Sequence, residues 1–205
     1  RASLKPDSAI DDGRATPSAP RPPDALPFLT GDLPGVGGAI KQSPDDFVVE
    51  EIPAYEPCGE GEHLFLWIEK RDVSAEQLTR HVARALGIAD RDVGTAGLKD
   101  RFAVTRQYVS VPASSAGRAA EIETESIRVL KSARHANKLR TGHLRGNRFS
   151  IAVRGVAADG LNRALKIAGR VSAHGFPNYF GEQRFGRGGE TLYTGFDLLS
   201  GRKSK

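Results

Sequence analysis

The chain has 205 residues and a mass of 22.0 kDa, which suits one ordinary domain with or without an appendage. Its hydrophobic content of 39% and mean hydropathy of -0.39 predict a soluble globular protein, and its apolar runs are too short to span a membrane. The single cysteine, Cys58, cannot form an internal disulfide, and no Cys/His cluster has the spacing of a zinc site. The composition therefore predicts a cytoplasmic protein without structural zinc. Because the chain opens at Arg1 and contains no Met, we expect its true start to be missing.

Charge is distributed unevenly along the chain. The formal net charge is +5, but residues 131–205 carry a net +11 and residues 1–130 a net −6. A basic segment with interleaved aromatic residues suits a polyanion such as nucleic acid, because Lys and Arg neutralise phosphates. The alternative is a basic face that contacts only solvent.

The first elements in chain order are a disordered segment, two strands and a helix. Residues 1–30 hold six of the 12 prolines and few large apolar residues, so we expect disorder there. Residues 46–52 and 63–70 are strand candidates, which we expect to pair as a long hairpin. Apolar residues then recur at three- and four-residue steps, which predicts an amphipathic helix capped by Ser74 and ended by Gly87.

The second half of the chain contains further strands and one more helix. The patterns predict a strand pair on either side of a charged turn, then two more strands, then a helix: residues 93–98, 104–112, 127–130, 147–154 and 161–171. Strands with interspersed helices predict an α+β fold with a mainly antiparallel sheet and flanking helices.

The charged turn between the strand pair contains Asp100 between Lys99 and Arg101. Adjacent cations favour the ionised form of a carboxylate, and that form can act as a nucleophile or base. The small residues Gly94 and Gly97 are expected to let a ligand approach the backbone. Taken by composition alone, a turn of this kind is more often a solvated surface loop.

The most basic stretch of the chain lies between Arg134 and Phe149, and phosphate contact is its natural use. His135 and His143 have no carboxylate or cysteine partner at ligand spacing, so the pattern favours solvent-facing or RNA-facing roles over a metal site. Asn147 could read a base edge and Phe149 could stack on a base. The alternative is a turn asparagine and a core phenylalanine.

Aromatic residues, arginines and glycines are concentrated in residues 175–189. This composition suits stacking and backbone contact with single-stranded or flipped bases. A structural loop whose aromatic rings plug the core would give the same pattern.

Several separate motifs, in order, make residues 41–189 similar to the TruD family of tRNA pseudouridine synthases. The segments that carry the resemblance are Asp45-Asp46-Phe47-Val48-Val49-Glu50-Glu51, Gly59-Glu60-Gly61-Glu62-His63, Ala96-Gly97-Leu98-Lys99-Asp100-Arg101, Arg134-His135, Lys138-Leu139-Arg140, Gly146-Asn147-Arg148-Phe149 and Pro177-Asn178-Tyr179-Phe180-Gly181-Glu182-Gln183-Arg184-Phe185-Gly186.

The resemblance implies isomerisation of a uridine in tRNA, uridine 13 in bacterial members, without a cofactor or metal. It places the nucleophilic aspartate at Asp100, and the residues that hold the flipped uridine at Phe47 and Asn147, with Phe149 in support. It also implies a tRNA partner, with no membrane and no obligate protein partner. Three further residues are expected at the substrate: Lys41, Lys99 and Arg101. Those expected to contact RNA are Arg134, His135, Lys138, Arg140, Arg145, Arg148 and Arg184.

The resemblance also implies the domain organisation. The fold is expected to be the pseudouridine-synthase α+β sheet, with an incomplete catalytic domain at residues 31–174. Residues 175–205 are expected to begin the family's inserted domain, which would continue beyond Lys205 before the chain returns to the catalytic domain. The chain is thus expected to be a fragment. A non-catalytic RNA-binding module, which would keep the basic and aromatic surface without needing Asp100, is the alternative.

Overall fold

A computed structural model describes residues 28–179, 182–186 and 189–201, with the backbone alone described at 182 and 183. It divides the chain into two compact units, Gly35–Asn162 and a second unit that combines residues up to Pro34 with Arg163 onward. The prediction of disorder for residues 1–30 falls almost wholly outside the described residues. The domain boundaries at 31, 174 and 175 stay predictions.

The first unit is built on one mixed sheet. Within the described residues its strands are β1 (Phe47–Pro53), β2 (His63–Arg71), β3 (Gly94–Thr95), β4 (Val104–Pro112), β5 (Ile127–His135) and β6 (Leu144–Ile151). The strand order is β5-β2-β4-β1-β6, with β3 also paired to β4. The pairing of β1 with β4 is parallel and the other pairings are antiparallel. The prediction of an α+β fold with a mainly antiparallel sheet is confirmed.

The expected hairpin of β1 and β2 is wrong. Strand β4 lies between them, parallel to β1 and antiparallel to β2. The connection over residues 54–62 is long enough to carry the chain across β4, whereas a hairpin of neighbouring strands needs only a short turn. The second expected pair is confirmed, because β3 pairs with β4.

The helices begin and end where the local chemistry indicates. Helix α1 (Ala75–Leu86) starts after Ser74, whose hydroxyl accepts from the Gln77 N–H, and ends at Gly87 in the left-handed conformation. The other helices are α2 (Gly160–His174), α3 (Glu182–Phe185) and α4 (Glu190–Leu199), and 3-10 segments lie at Pro44–Asp46, Asp90–Asp92 and Ala113–Ile122.

The main core lies between α1 and one face of the sheet. It joins Leu66 and Ile68 of β2 and Val109 of β4 to Leu78 and Val82 of α1. These apolar side chains leave water together, which is the main source of stability for the unit. The alternation of β1 turns Phe47, Val49 and Glu51 toward this same face, next to the segment that joins β3 to β4.

Candidate active site

Asp100 lies in the turn between β3 and β4 and keeps 54% of its side-chain surface exposed. Its carboxylate oxygen Oδ2 is 3.5 Å from the ammonium of Lys41, a residue from the segment before β1. Lys41 has a positive φ of 55°, a conformation that costs a non-glycine residue roughly 1–2 kcal/mol. The fold therefore holds an uncommon backbone conformation at the residue that meets the candidate nucleophile.

Two phenylalanine rings adjoin this ion pair. The Lys41 ammonium lies 3.8 Å from the centroid of the Phe47 ring, within the range of a cation–π contact. The Phe47 ring is 5.9 Å from that of Phe149, at 58° between the ring planes. Phe47 is buried, whereas Phe149 is 53% exposed on β6. An exposed ring that packs against Phe47, the ring in contact with Lys41, is a surface on which a planar base can stack.

The two cations next to Asp100 in sequence do not pair with its carboxylate. Lys99 turns into the protein, where its ammonium is 2.7 Å from Oε2 of Glu51, and both side chains are buried. Arg101 instead lies 3.5 Å from Asp72. The expectation that Lys99 and Arg101 provide the charge at Asp100 is corrected, because both side chains pair with other carboxylates and the Lys41 ammonium pairs with Asp100 instead.

Asn147 lies directly opposite Glu51 across the β1–β6 pair, on the same face as Phe149 two residues later. Glu51 is already engaged, since it accepts from Lys99 and from the Tyr108 N–H. The Oδ1 atom of Asn147 is buried and has no hydrogen-bond partner within the described residues. A buried carbonyl without a donor costs roughly 1–3 kcal/mol, so this atom can gain from a ligand N–H.

Sequence reasoning missed Lys70, the last buried residue of β2. Its side chain is fully buried, and its ammonium donates to the carbonyl oxygens of Asp100 at 2.8 Å and Val73 at 2.6 Å. Burial lowers the pKa of Lys70 to about 8, against the opposing field of Asp100. The one available signal was a lysine at an inward position of a strand whose other inward residues, Leu64, Leu66 and Ile68, are apolar.

Sequence reasoning also missed the ion pair of Arg154 with Asp46, which lies next to the segment that carries Lys41. Arg154 donates from two nitrogens, at 2.7 and 3.0 Å, to one carboxylate oxygen of the buried Asp46. The Arg154 backbone also exchanges two hydrogen bonds with Ala39, two residues before Lys41. The hydrogen bonds from Arg154 hold the pKa of Asp46 below its usual range, so the pair stays charged at neutral pH.

Gly94 serves packing and not the expected approach of a ligand. A Cβ at this position would lie 2.4 Å from the carbonyl oxygen of Leu139 and 2.4 Å from the hydroxyl of Ser110. The same hydroxyl accepts the Leu139 N–H. The glycine is therefore needed because the chain's own backbone occupies the space.

The predicted RNA-contacting cations are spread over several surfaces. Arg148 pairs with Glu50 at 3.4 Å, on the face of the sheet opposite Phe149. The Lys138 ammonium donates to the carbonyl of Arg91. The remaining cations of this unit are exposed and have no ion pair within the part of the chain that the structure describes: Arg134, Arg140 and Arg145.

The aromatic stretch is only partly described. Phe176 and Tyr179 are largely exposed, and Arg184 lies on α3 of the second unit. Phe180 and Arg187 lie outside the described residues. Among the residues that are described, no group of three or more His, Cys, Asp or Glu side chains could hold a metal ion. No described helix is both long and apolar enough to cross a membrane.

The site at Asp100 thus combines an accessible carboxylate, a cation and a pair of aromatic rings on an α+β sheet. The family model of tRNA pseudouridine synthase D (TruD) matches residues 26–205. The chain belongs to the TruD family.

Individual relatives agree with this assignment. The chain is 49% identical over 179 residues to a tRNA pseudouridine synthase D of Anaeromyxobacter dehalogenans, covering 87% of this chain and 51% of the relative. It is 51% identical over 174 residues to that of Geobacter metallireducens, covering 85% and 43% respectively. The chain thus spans about half the length of these curated relatives.

A solved structure shows the same fold. The crystal structure of the putative tRNA pseudouridine synthase D from Methanosarcina mazei superposes with a TM-score of 0.72 at 34% identity. The match covers 79% of this chain and 38% of that one. The prediction of the family's α+β fold is confirmed.

Proposed function

We propose that the protein converts a uridine of tRNA to pseudouridine, with Asp100 as the nucleophile. The observation that carries this proposal is the accessible Asp100 carboxylate, 3.5 Å from Lys41 and next to the Phe47–Phe149 pair. A carboxylate held near a cation, yet open to solvent, is available to attack a nucleoside that has left its helix. By family resemblance the target is uridine 13.

The residues around Asp100 have different roles in binding the base. Phe149 offers an exposed ring for stacking, and Phe47 supports that ring from below. The unpartnered Oδ1 of Asn147 can accept an N–H from the uracil edge. Lys41 places a positive charge 3.5 Å from the Asp100 carboxylate. The buried Glu51–Lys99 pair positions the turn without touching the base.

The reaction balances without any added reagent. The bond between N1 and the ribose C1′ breaks, the base turns, and a bond forms between C5 and C1′. The proton of C5 is lost and N1 gains a proton, so substrate and product are isomers. In this scheme the Asp100 carboxylate forms a covalent bond to the sugar or the base while the N1–C1′ bond is broken, and that covalent bond is broken again at the end.

The loss of the C5 hydrogen provides the test. A tRNA transcript labelled with tritium at C5 of uridine should release tritium to water with the wild-type protein. Asp100→Asn should abolish the release while tRNA affinity stays within about threefold, because an amide is not a nucleophile but keeps the shape of the side chain. Release near the wild-type rate from this variant would refute the role of Asp100.

The same assay separates the non-catalytic alternative. An RNA-binding module would bind tRNA with similar affinity in both proteins and release no tritium from either. The basic residues without ion pairs, Arg134 and Arg145 among them, suit either function, so affinity alone does not distinguish the two.

A further inference from the structure

A cavity lies at the other end of the sheet from Asp100. It has a volume of about 640 Å³ and lies where β5 ends and β2 begins, close to the end of β1 and the start of β6. Its chemistry is carried by three imidazoles, two cations and a phenol: His63, His135, His143, Lys138, Arg140 and Tyr55. No Asp or Glu is among the described residues that line it. We call this the histidine cavity.

Hydrogen bonds within the protein determine which ring nitrogen carries the proton in two of the imidazoles. The backbone N–H of Cys58 can only donate, so Nδ1 of His135, 3.3 Å away, must accept and a neutral ring carries its proton on Nε2. The Tyr55 hydroxyl lies 2.7 Å from Nδ1 of His143. Burial raises the pKa of Tyr55, so we assign its proton to that hydrogen bond and the His143 ring proton to Nε2.

The rings of the histidine cavity are held in place by packing. Tyr55 stacks on His135 with centroids 4.9 Å apart and ring planes at 19°, and Phe65 contacts the same imidazole at 4.7 Å. His63 pairs with His135 across β2 and β5. Donors that are fixed before a ligand arrives lose little entropy when it binds.

One buried polar atom of the histidine cavity has no hydrogen-bond partner among the described residues. The Nδ1 atom of His63 is buried and makes no hydrogen bond among the described residues. Lys138 uses one of its three donors on the Arg91 carbonyl, and Arg140 is exposed without an ion pair in this part of the structure. Ring N–H groups and two cations, with no carboxylate among them, are suited to an anion with several acceptor oxygens.

We propose that the histidine cavity binds a phosphate group of the RNA backbone, remote from the uridine that reacts. The proposal rests on the proposed function, which supplies RNA as the ligand. His63 and Lys70 lie at opposite ends of β2, seven residues and therefore roughly 23 Å apart, and Lys70 contacts Asp100. The phosphate thus belongs to a different part of the RNA from the target nucleotide, and the site sets how the RNA is oriented on the sheet.

The ring signals of the histidines provide a direct test in the 205-residue protein. An unmodified tRNA transcript should shift the NMR signals of His63, His135 and His143, and inorganic phosphate at millimolar concentration should shift the same three. His81 is the internal reference, because its Nε2 bonds to the Ile122 carbonyl away from the cavity. Shifts with inorganic phosphate but not with tRNA, or equal shifts at His81, would overturn the proposal.

A charge-matched pair of variants tests the contribution to binding. Arg140→Gln should weaken tRNA affinity at least tenfold, whereas Arg128→Gln, which removes an exposed arginine of β5 outside the cavity, should change it less than twofold. Tyr55→Phe is the second variant, since it removes the donor to His143 and keeps the ring that stacks on His135. Equal losses for Arg140→Gln and Arg128→Gln would assign the effect to general charge and refute the site.

The outcomes for the histidine cavity and for the isomerase are separable. Both measurements are made in the Asp100→Asn background, where binding is read without turnover. Ring shifts without any tritium release from the parent protein would leave the cavity supported and the isomerase refuted. Tritium release without ring shifts would support the isomerase and refute the phosphate site in the histidine cavity.

Discussion

Replacing Lys70 with Met should impair turnover far more than folding. The wild-type ammonium donates to the carbonyls of Asp100 and Val73 from a fully buried position, so the substitution removes both hydrogen bonds and a buried charge together. The carbonyl of Asp100 is then free to move, and the carboxylate moves with it. Displacement of a reacting group by about 1 Å costs on the order of 100-fold in rate, which is the loss expected in tritium release.

The effect on stability follows from two opposing contributions. A pKa of about 8 in place of 10.5 means that holding Lys70 charged costs about 3 kcal/mol at neutral pH. The Met side chain avoids this cost but leaves two carbonyls without their donor, at roughly 1–3 kcal/mol each. These contributions nearly cancel, so urea unfolding at pH 7 should place Lys70→Met within about 2 kcal/mol of wild type.

The pH dependence gives the stricter check on Lys70. Between pH 8 and 10.5 the unfolded chain keeps the proton of this lysine while the folded protein has lost it, so stability rises with pH in that range. Relative to Lys70→Met, the wild-type protein should gain about 1 kcal/mol between pH 7 and pH 9. The control is Lys166→Met, which removes an exposed lysine of α2. A difference that is constant or falls with pH, or unchanged turnover in Lys70→Met, would refute the reasoning.

Three further outcomes test the surroundings of Asp100 and the RNA surface. Lys99→Met and Glu51→Leu should each lose about 3–5 kcal/mol in urea unfolding, because each leaves a buried charge unpaired, and the double variant should lose clearly less than the sum. Arg134→Gln combined with Arg145→Gln should flatten the dependence of log K for tRNA on log salt by about one to two; an unchanged slope would place the phosphate contacts elsewhere. Phe149→Ala should lower kcat/KM about tenfold or more through lost stacking while unfolding by urea changes little, since the ring is half exposed; a reverse pattern would make it a core residue.

The helices and strands could be predicted from local sequence chemistry, whereas the pairing of distant strands could not. The Ser74 cap and the Gly87 stop mark α1 correctly because both act within one turn of the helix. The pairing of β1 with β4 depends on how the chain crosses the sheet, and nothing in the residues of β1 itself indicates a partner 56 residues later. The residue pattern of a strand specifies which side chains face the core, but it does not specify which strand pairs with it.

The candidate site shows the same division. The motif around Asp100 marked the acidic residue, but adjacency in sequence suggested the wrong cations for it. Glu51 and Lys99 meet across 48 positions, and the three-dimensional fold alone brings them together. Lys41 was expected at the substrate through resemblance, and its contact with the Asp100 carboxylate supplies a physical reason for that expectation.

The three lysines near Asp100 act at different depths, and this separation explains why they are not interchangeable. Lys41 meets the carboxylate at the surface, so its charge can act directly on a reacting group. Glu51 neutralises the charge of Lys99 in the interior. Lys99 therefore makes the turn rigid and does not supply an electrostatic field at the carboxylate. Lys70 holds the backbone of Asp100 from beneath. Because the Asp100 side chain is half exposed and has Lys41 beside it at the surface, its position also depends on the main chain that carries it, which the two buried lysines hold in place.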